Sequence, residues 1–446
     1  MLKAGQRARL PSLTNLPLQA QLAETERWPA RKLRSHQFQQ IGILAEHAQR
    51  TVPFFEARFA AAGITDPRRI DRLWHRLPRL SRQEVQTAGT ALHSTAVPPA
   101  HGGILSNTTS GSTGVPVTVL GTELDARFFK ALDLRILLRH GFDFTRKLAM
   151  IRWLEPDRAR YPNGAVSDAW GDRATFPFPT GPAVYLNILT TDVERQAEWL
   201  ARHDPDYLNT NPTNLSALVE ACVRRSIALR ISKVMTTAET LHTEVRRAVR
   251  AAWGAEIVDV YSAQEVGQIA VQCPEYEQYH VQAEHVLVEI LNEQGEVCAP
   301  GEIGRVVVTP LRNFAMPLFR YDIGDYAEMG EPCPCGRGLP VLRRVLGRGR
   351  NMLVTPNGRH YWPFFGATFY RGIAPLTQYK FIQTSRDAIE ARLVVERPLT
   401  QAEQEGLRTR IQTTLPYPFR IDFTFVAEIP RSPGWKYEDF ISQIGE

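Results

Sequence analysis

Ser106-Asn-Thr-Thr-Ser-Gly-Ser-Thr-Gly-Val-Pro-Val117 is the stretch around which the rest of the sequence can be organised. From Ser106 to Gly114 every residue is small, hydroxylated, an amide or a glycine. Gly111 and Gly114 permit tight or left-handed backbone, and the hydroxyls add donors, which suits a loop that holds phosphate oxygens. The Gly-Lys-Ser/Thr ending of a Walker loop is absent. A polar linker has a similar composition, so this stretch alone leaves both interpretations open.

The composition is that of a globular protein with more than one domain. The chain has 446 residues, of which 43% are apolar and 22% charged, with a net charge of +6. The sequence shows neither a signal peptide nor a membrane span, so we expect a cytoplasmic protein. Five cysteines form an odd and sparse set, which argues against a disulfide framework.

Strand-like and helical patterns alternate through the middle of the chain. The strand-like runs are 183–189, 233–237 and 256–260, and the helical patterns are 192–202, 215–225 and 241–252. This alternation predicts an α/β fold with a parallel sheet. The segment from Val286 to Thr309 reads instead as strands joined by a glycine-containing turn. The fold class is therefore a large N-terminal domain with parallel-rich sheets and helices plus a β-rich section.

Domain limits are predicted from changes in composition and in the pattern of apolar residues along the chain. Residues 1–100 are expected to form an N-terminal arm, irregular to residue 35, and the helical part of the large domain, with two helices around a break at Pro53. Residues 101–346 form its core. Gly347-Arg-Gly-Arg350 reads as a flexible basic joint, and residues 347–446 as a small, mobile α+β domain.

Four potential metal ligands fall in the β-rich section. Cys273, His280, Cys333 and Cys335 supply three thiols and one imidazole, the donor set of a structural zinc site. The Cys-Pro-Cys spacing is tighter than that of an ordinary zinc finger. Isolated thiols and a surface histidine are the alternative interpretation.

Carboxylates and a lysine mark a second candidate site. Glu265 follows a predicted strand that ends near Tyr261, at the edge where α/β sheets bind ligands. Asp325 lies at a glycine turn. A carboxylate near phosphates commonly holds Mg²⁺, and one near a ribose accepts its hydroxyls. Lys436 follows a Gly-Trp pair near the C-terminus. Each feature alone is more often a solvated surface group.

The order of these features resembles the adenylate-forming superfamily of acyl-CoA synthetases, adenylation domains and luciferases. The ordered set is Thr109-Ser-Gly-Ser-Thr-Gly114, Tyr261 with Glu265, Arg320-Tyr-Asp-Ile-Gly-Asp325, Gly347-Arg348 and Lys436. Thr51-Val-Pro-Phe-Phe55, Met316-Pro-Leu-Phe-Arg-Tyr321 and Cys333-Pro-Cys-Gly-Arg337 are more similar to its phenylacetate-CoA ligase and coenzyme F390 synthetase branch. The resemblance runs from about residue 36 to 440. Members of that branch also carry a Cys/His metal site here.

The resemblance implies two half-reactions and a role for each matching residue. A carboxylic acid is activated with ATP as an acyl-adenylate, and a thiol then displaces AMP. The residues implied to hold the β- and γ-phosphates are Thr109, Ser110, Gly111, Ser112, Thr113 and Gly114. The residues implied for the rest of the nucleotide are Ala238, Glu239 and Tyr261 at the adenine, Asp325 at the ribose and Arg348 beside them. Glu265 would hold Mg²⁺, and Lys436 would move onto the α-phosphate.

Three positions depart from the family pattern. Val115 replaces a lysine that often follows the loop, which removes one cation from the phosphates. Thr237 replaces a glycine, which would crowd the adenine. Arg350 and Asn351 stand where the hinge usually has an acidic residue.

The acid and its acceptor are less constrained. Trp153, Trp170 and Tyr185 suggest an aromatic acyl pocket, although they could equally be core residues. The acceptor thiol could be coenzyme A or the phosphopantetheine arm of an acyl carrier protein. Two alternatives remain. One is a zinc-ribbon nucleic-acid-binding protein, which is disfavoured because it leaves Lys436 and the 106–117 stretch unexplained. The other is a nucleotide-binding homologue without ligase activity.

Overall fold

The computed structural model describes residues 15–108, 117–155, 157–171, 176, 178–366, 370, 372–429 and 439–444. The helices found there are α1 (Asn15–Thr25), α2 (Ala30–Thr51), α3 (Pro53–Ala61), α4 (Arg82–Ala88), α5 (Glu123–Arg139), α6 (Val193–His203), α7 (Pro212–Arg224), α8 (Thr243–Trp253) and α9 (Gln401–Thr414). The strands of the first half are β1 (Ile104–Thr108), β2 (Thr118–Thr122), β3 (Leu148–Arg152), β4 (Ala165–Ser167), β5 (Ala183–Asn187), β6 (Tyr207–Thr210), β7 (Lys233–Thr237), β8 (Glu256–Ala263), β9 (Gly267–Gln272) and β10 (Tyr279–Val281). The remaining strands are β11 (Val286–Leu291), β12 (Ile303–Pro310), β13 (Tyr321–Met329), β14 (Val341–Arg348), β15 (Leu353–Val354), β16 (His360–Tyr361), β17 (Leu376–Ser385), β18 (Ala388–Val395), β19 (Arg420–Phe425) and β20 (Phe440–Ser442).

The N-terminal arm is helical, so the prediction of an irregular segment to residue 35 is wrong for the described part of it. Pro17 lies in the first turn of α1, and Pro29 is the N-cap of α2. Proline is tolerated at these positions because the N–H groups of the first turn have no partner within the helix. Leu22 of α1 is buried with Phe128 and other residues of α5, and this packing stabilises a sequence whose helical pattern is weak.

One sheet of twelve strands forms the centre of the large part of the molecule. Its strand order is β11-β12-β13-β14-β10-β9-β8-β7-β6-β3-β5-β4. Strands β5, β3, β6, β7 and β8 are parallel, and α6, α7 and α8 connect successive members of this group. Val234 and Ile257 of the strands are buried in one cluster with Leu218 of α7. This half confirms the predicted α/β alternation.

The other half of the same sheet is antiparallel. From β8 the chain turns back into β9, and β10, β14, β13, β12 and β11 follow across the sheet. The predicted pair of strands at 286–309 corresponds to β11 and β12. In this antiparallel pair, Val286 lies opposite Pro310 and Leu291 lies opposite Arg305. Helices α2 and α3 pack on this half, with Phe55 and Phe59 against Phe319. The break between the two helices lies at Val52, as Pro53 predicts.

The C-terminal part has a separate four-stranded sheet with a core of its own. The order is β19-β18-β17-β20, and α9 packs on it through Leu407 and Ile411. This arrangement agrees with the α+β pattern of the sequence, while the boundary at 346/347 and the mobility of this part remain predictions. The joint differs from the expected loop, because Gly347 and Arg348 belong to β14. Gly347 has φ +89°, and a Cβ there would lie 2.6 Å from Thr240 Oγ1, so glycine is required.

None of the helices in the described ranges combines the length and the apolar character that crossing a bilayer requires.

Candidate functional site

A cavity of about 340 Å³ lies between the large sheet and the C-terminal part. The segment 238–242 and the end of β8 form its walls, and Asp325 and Arg348 come from the antiparallel half. The C-terminal part adds Trp362, Phe364 and Asp439. The cavity therefore brings together residues from three distant segments, at the carboxyl ends of β7 and β8, where α/β sheets bind ligands.

Tyr261, Asp325 and Arg348 form one contact group in this cavity. The Tyr261 hydroxyl donates to Asp325 Oδ2 at 2.8 Å, and Arg348 Nε lies 3.1 Å from Asp325 Oδ1. Burial, followed by the charge of Asp325, raises the pKa of Tyr261 well above its ordinary value. The Asp325 carboxylate raises the pKa of Arg348. The sequence prediction that these residues share a site is supported by their distances, and the phenol and guanidinium orient the carboxylate.

Glu265 lies at the edge of the same cavity, buried, and paired with a residue that the sequence did not indicate. Arg82 Nη1 donates to Glu265 Oε1 at 2.7 Å, and the Tyr321 hydroxyl lies 3.4 Å from the same oxygen. Both contacts use Oε1, so Oε2 is the oxygen of this carboxylate that could ligate a cation. Arg82 opens α4 next to its cap Ser81, and no motif marks it as a functional residue.

The segment before α8 approaches the cavity in an unusual backbone conformation. Ala238 has φ +76°, a value that non-glycine residues adopt only at a cost of about 1 kcal/mol or more. Glu239 Oε2 accepts from the backbone N–H of Thr213 at 3.0 Å, so its carboxylate also caps the start of α7. The Thr237 hydroxyl lies 3.2 Å from that of Ser262 and occupies the space of the glycine expected there. Ala238, Glu239 and Tyr261, the residues predicted at the adenine, all line the cavity.

The C-terminal wall of the cavity was not foreseen. His242 stacks on Phe364 with ring centroids 4.1 Å apart, and the Trp362 indole lies 3.3 Å from the backbone oxygen of Arg348. Burial lowers the pKa of His242 to about 4 and raises that of Asp439 to about 7. Both Arg350 and Asn351 line the cavity, and the Asn351 amide donates to Phe440 O at 2.6 Å. Arg350 and Asn351 were noted in the sequence as hinge positions, whereas no short motif marks His242, Trp362, Phe364 or Asp439, which tertiary packing brings to the site.

Residues 109–114, Val115 and Lys436 lie outside the described residues, so their predicted roles remain predictions. The strands that flank the loop are described, and the Thr108 and Thr118 hydroxyls lie 3.2 Å apart at its base. A second cavity, of about 220 Å³, is lined by both strands and by Glu265. The base of the loop therefore lies next to the proposed cation ligand.

Cys273, His280, Cys333 and Cys335 converge on one point. Their ligand atoms all lie within 4.8 Å of one another, and three of the four residues are buried. Cys273 Sγ is 3.8 Å from Cys333 Sγ, and Cys335 Sγ is 3.3 Å from His280 Nε2. Tetrahedral Zn²⁺, with bonds of about 2.3 Å to sulfur and about 2.0 Å to nitrogen, separates two thiolates by about 3.8 Å and a thiolate from an imidazole by about 3.5 Å. The donor set and its spacing fit such an ion.

The aromatic residues suggested for an acyl pocket have separate positions. Trp170 packs at 5.5 Å from both Phe144 and Phe176, and its indole donates to Arg146 O. Trp153 is 57% exposed. Neither of them, nor Tyr185, lines either cavity. For Trp170, packing accounts for the observed environment.

Comparison with known proteins gives relatives in sequence and in fold. No protein-family model matches the chain. It is 26% identical over 351 residues to a phenylacetate-coenzyme A ligase of Thermus thermophilus, covering 74% of each chain. It is 24% identical over 335 residues to the enzyme of that name from Escherichia coli, covering 72% of each. A structure of 2-hydroxyisobutyryl-CoA ligase in the postadenylation state superimposes with a TM-score of 0.70 at 16% identity, covering 95% of this chain and 92% of that one.

The structural neighbour confirms the mixed α/β fold. Both sequence relatives are phenylacetate-coenzyme A ligases, the branch that the motifs of the sequence resemble. Taken together, the comparisons show that the chain is similar in sequence to phenylacetate-coenzyme A ligases and in fold to an acyl-CoA ligase, in agreement with the resemblance found in its motifs.

Proposed function

We propose that the protein is an AMP-forming acid–thiol ligase that activates a small carboxylic acid with ATP and transfers the acyl group to coenzyme A. The observation that carries this proposal is the Tyr261–Asp325–Arg348 group in a cavity that Glu265 also lines. A carboxylate fixed by a phenol and a guanidinium is a suitable acceptor for the two hydroxyls of a ribose. The phenol face and the neighbouring 237–239 segment then provide a surface for adenine.

In the first half-reaction, a carboxylate oxygen of the acid attacks the α-phosphorus of ATP, and the bond to pyrophosphate breaks. Negative charge must be held at several oxygens in this step, which makes charge placement the main contribution of the protein. We assign the loop 109–114 to the β- and γ-phosphates and Lys436 to the α-phosphate and acid oxygens. Glu265 would hold Mg²⁺ through Oε2, and that ion neutralises phosphate charge when bound.

In the second half-reaction, the thiol sulfur attacks the acyl carbon and AMP leaves. We propose that the C-terminal part, from residue 347, moves as a unit and withdraws Lys436 so that the thiol can enter. The cavity wall that this part supplies, Trp362 and Phe364, is compatible with such a movement because, within the described residues, the four-stranded sheet of the C-terminal part is separate from the twelve-stranded sheet. Coenzyme A is the preferred acceptor because the sequence relatives are named for it. We also propose that the reaction takes place in the cytoplasm, where ATP and coenzyme A are available.

A structural Zn²⁺ in the Cys273–His280–Cys333–Cys335 cluster completes the proposal. Three thiolates and one imidazole close the coordination shell, so the ion would have no open position for a substrate. The zinc-ribbon alternative has less support, because the basic run near it is paired. Arg343 and Arg344 both contact Glu328, and Arg337 contacts Glu26 and Glu275.

Product analysis over a panel of acids tests the proposal. The protein is incubated with ATP, Mg²⁺, coenzyme A and aryl or short acyl acids, and AMP and acyl-CoA are measured by mass spectrometry. We expect equal amounts of AMP and thioester with at least one acid, and an aromatic acid is the expected one. AMP that forms only when a phosphopantetheinylated carrier protein replaces coenzyme A would identify the carrier arm as the acceptor. Nucleotide binding without AMP formation for any acid would favour the homologue without activity.

A further inference from the structure

Within its antiparallel half, the twelve-stranded sheet contains a short internal strand. β10 has three residues and pairs with β9 through Tyr279, His280 and Val281. Its pairing with β14 consists of Tyr279–Leu342 and His280–Val341, the shortest ladder in this sheet within the described residues. Few main-chain hydrogen bonds therefore hold the strands from β10 to β4 in the sheet order against those from β14 to β11, and we call this point the junction.

The nucleotide-site residues lie on opposite sides of this junction. Tyr261 is on β8, which pairs with β9 through Ala270, and Ala270 pairs in turn with Val281 of β10. Asp325 and Arg348 face each other on β13 and β14, beyond β10. The Tyr261–Asp325 hydrogen bond of 2.8 Å thus joins strands that are separated by β9, β10 and β14 in the sheet order. The distance between the Tyr261 hydroxyl and Asp325 therefore depends on the curvature of the sheet at β10.

The four metal ligands clamp the same junction. Cys273 follows the last residue of β9, His280 is the middle residue of β10, and Cys333 and Cys335 lie in the connection that leads into β14. One bound ion therefore ties three adjacent strands of the sheet at the point where their ladder is shortest. Val260, Val271, His280 and Val341 form one cross-strand row, so a ligand of the cluster lies in line with the strand that carries Tyr261.

A side-chain contact connects the junction to the floor of the cavity. The hydroxyl of Tyr279, next to His280, donates to Asp259 Oδ2 at 2.6 Å. The Thr236 hydroxyl donates to the other oxygen at 2.5 Å. Asp259 lines the cavity and is buried, and it precedes Tyr261 on β8 by two residues. Displacement of β10 would therefore move both the floor and one wall of the nucleotide site.

We propose that the metal cluster sets the geometry of the nucleotide site, by holding Tyr261 on one half of the sheet within reach of Asp325 and Arg348 on the other. The inference rests on the proposed nucleotide site and zinc ion. Tyr279 is the positioning residue in this proposal, because its hydrogen bond to Asp259 makes the position of Asp259 depend on that of β10. A metal with a purely stabilising role would leave the affinity of the folded protein for nucleotide unchanged.

Calorimetry with AMP, on the zinc-loaded full-length protein and on protein stripped with a chelator, tests this. Circular dichroism identifies the stripped protein that remains folded. We expect the affinity for AMP to fall at least about tenfold after stripping. Addition of Zn²⁺ should restore it. Hydrogen exchange should rise at 268–272, 279–281 and 341–348, on both sides of the junction. Unchanged AMP affinity together with unchanged exchange at 341–348 in the folded, stripped protein would overturn the proposal.

Two variants decide the matter if stripping unfolds the protein. Tyr279→Phe keeps the metal ligands, so it should retain one zinc per chain and yet bind AMP severalfold more weakly, whereas wild-type affinity would contradict the proposal. Cys222→Ser is the matched control, because Cys222 is a buried thiol of α7 distant from the cluster, and it should behave as wild type. If loaded protein fails to bind AMP, the proposed function fails, while hydrogen exchange still decides whether zinc orders both halves of the sheet.

Discussion

Asp325 is the residue on which the contacts of the proposed nucleotide site converge. Its two oxygens engage Tyr261 and Arg348 separately, at 2.8 and 3.1 Å. The sequence indicated these residues because each belongs to a motif, and the fold brings them together. It did not indicate Arg82, whose contact with Glu265 joins positions 183 residues apart. A pairing of that separation depends on tertiary packing, which local sequence patterns do not record.

Replacing Asp325 should therefore impair nucleotide binding more than replacing Tyr261. Asp325→Asn removes the charge that pairs with Arg348 and weakens the expected ribose contact, so AMP affinity should fall roughly 10- to 100-fold. Tyr261→Phe removes one hydrogen bond and keeps the ring, so a loss of about fivefold is expected. Calorimetric titration with AMP measures both. Equal affinities for wild type and Asp325→Asn would contradict the role of this carboxylate.

Arg82 should compete with Mg²⁺ for Glu265. Its guanidinium lies 2.7 Å from Glu265 Oε1, and both side chains are largely buried. Arg82→Ala removes the positive charge that pairs with Glu265, so the Mg²⁺ concentration for half-maximal activity should fall severalfold. In Glu265→Gln this concentration should rise. Arg79→Ala serves as the control, because Arg79 pairs with Asp322 instead. A Mg²⁺ requirement that is the same in Arg82→Ala as in wild type would argue against Glu265 as the metal ligand.

Among the elements, α5 shows which features of a helix follow from local sequence and which depend on tertiary packing. The sequence predicts an amphipathic helix over 123–140 from apolar residues at helical spacing, namely Leu124, Phe128, Ala131, Leu134 and Leu138, and the structure has this helix at Glu123–Arg139. Its end positions Leu124 and Leu138 are exposed, although the same spacing assigned them to the buried face. The start is set by a capping box between Thr122 and Asp125. Helix α1 and the first turns of α2 were not predicted from the sequence, since they lie in a stretch with a weak apolar pattern and pack against distant elements through Leu22 and Leu33.

The cap of α5 should contribute measurably to stability. Thr122 is fully buried, and its hydroxyl accepts from the Asp125 backbone N–H at 3.2 Å. Thr122→Ala should lower the free energy of unfolding by about 1–2 kcal/mol, because the first turn loses a hydrogen-bond acceptor. Thr122→Ser keeps the hydroxyl and should retain most of the stability. Chemical denaturation measures both, and equal losses in the two variants would show that the cap is not the cause.

The molecule carries several ionisable groups in its interior, and Asp133 is one whose effect on stability should be measurable as a function of pH. Burial raises the pKa of Asp133 to about 7, although it accepts a hydrogen bond from Gln268. The unfolded chain, with an ordinary value of 3.8, releases this proton at lower pH than the folded protein does. This carboxyl therefore costs stability that grows as the pH rises from about 4 to about 7.

Asp133→Asn removes that cost while keeping the hydrogen-bond acceptor. The variant should be more stable than wild type at pH 8 by up to a few kcal/mol, and the difference should shrink towards pH 4. Thermal unfolding followed from pH 4 to pH 8 measures it. Asp157→Asn is the control, because the Asp157 side chain is 91% exposed. A difference that is constant across this pH range would contradict the assignment.

At the scale of the molecule, the sequence predicted the mixed α/β fold, the order of the central elements and the four candidate metal ligands that the structure brings together. Cys273 and Cys333 lie 60 residues apart, yet their sulfurs are 3.8 Å apart, as the donor pattern implied. The placement of the C-terminal part over the cavity was not predictable, because it depends on side chains such as His242 and Phe364 that no motif connects.

In the proposed mechanism, a phosphate-holding loop and a lysine from the C-terminal part act together to make an acyl-adenylate. Acid-dependent exchange of labelled pyrophosphate into ATP is the decisive experiment, because it reports the first half-reaction without any thiol. We predict exchange with at least one acid of an aryl and short acyl panel, its loss in Lys436→Ala, and wild-type rates in Lys32→Ala. Exchange that is absent with every acid, or unchanged in Lys436→Ala, would contradict the account.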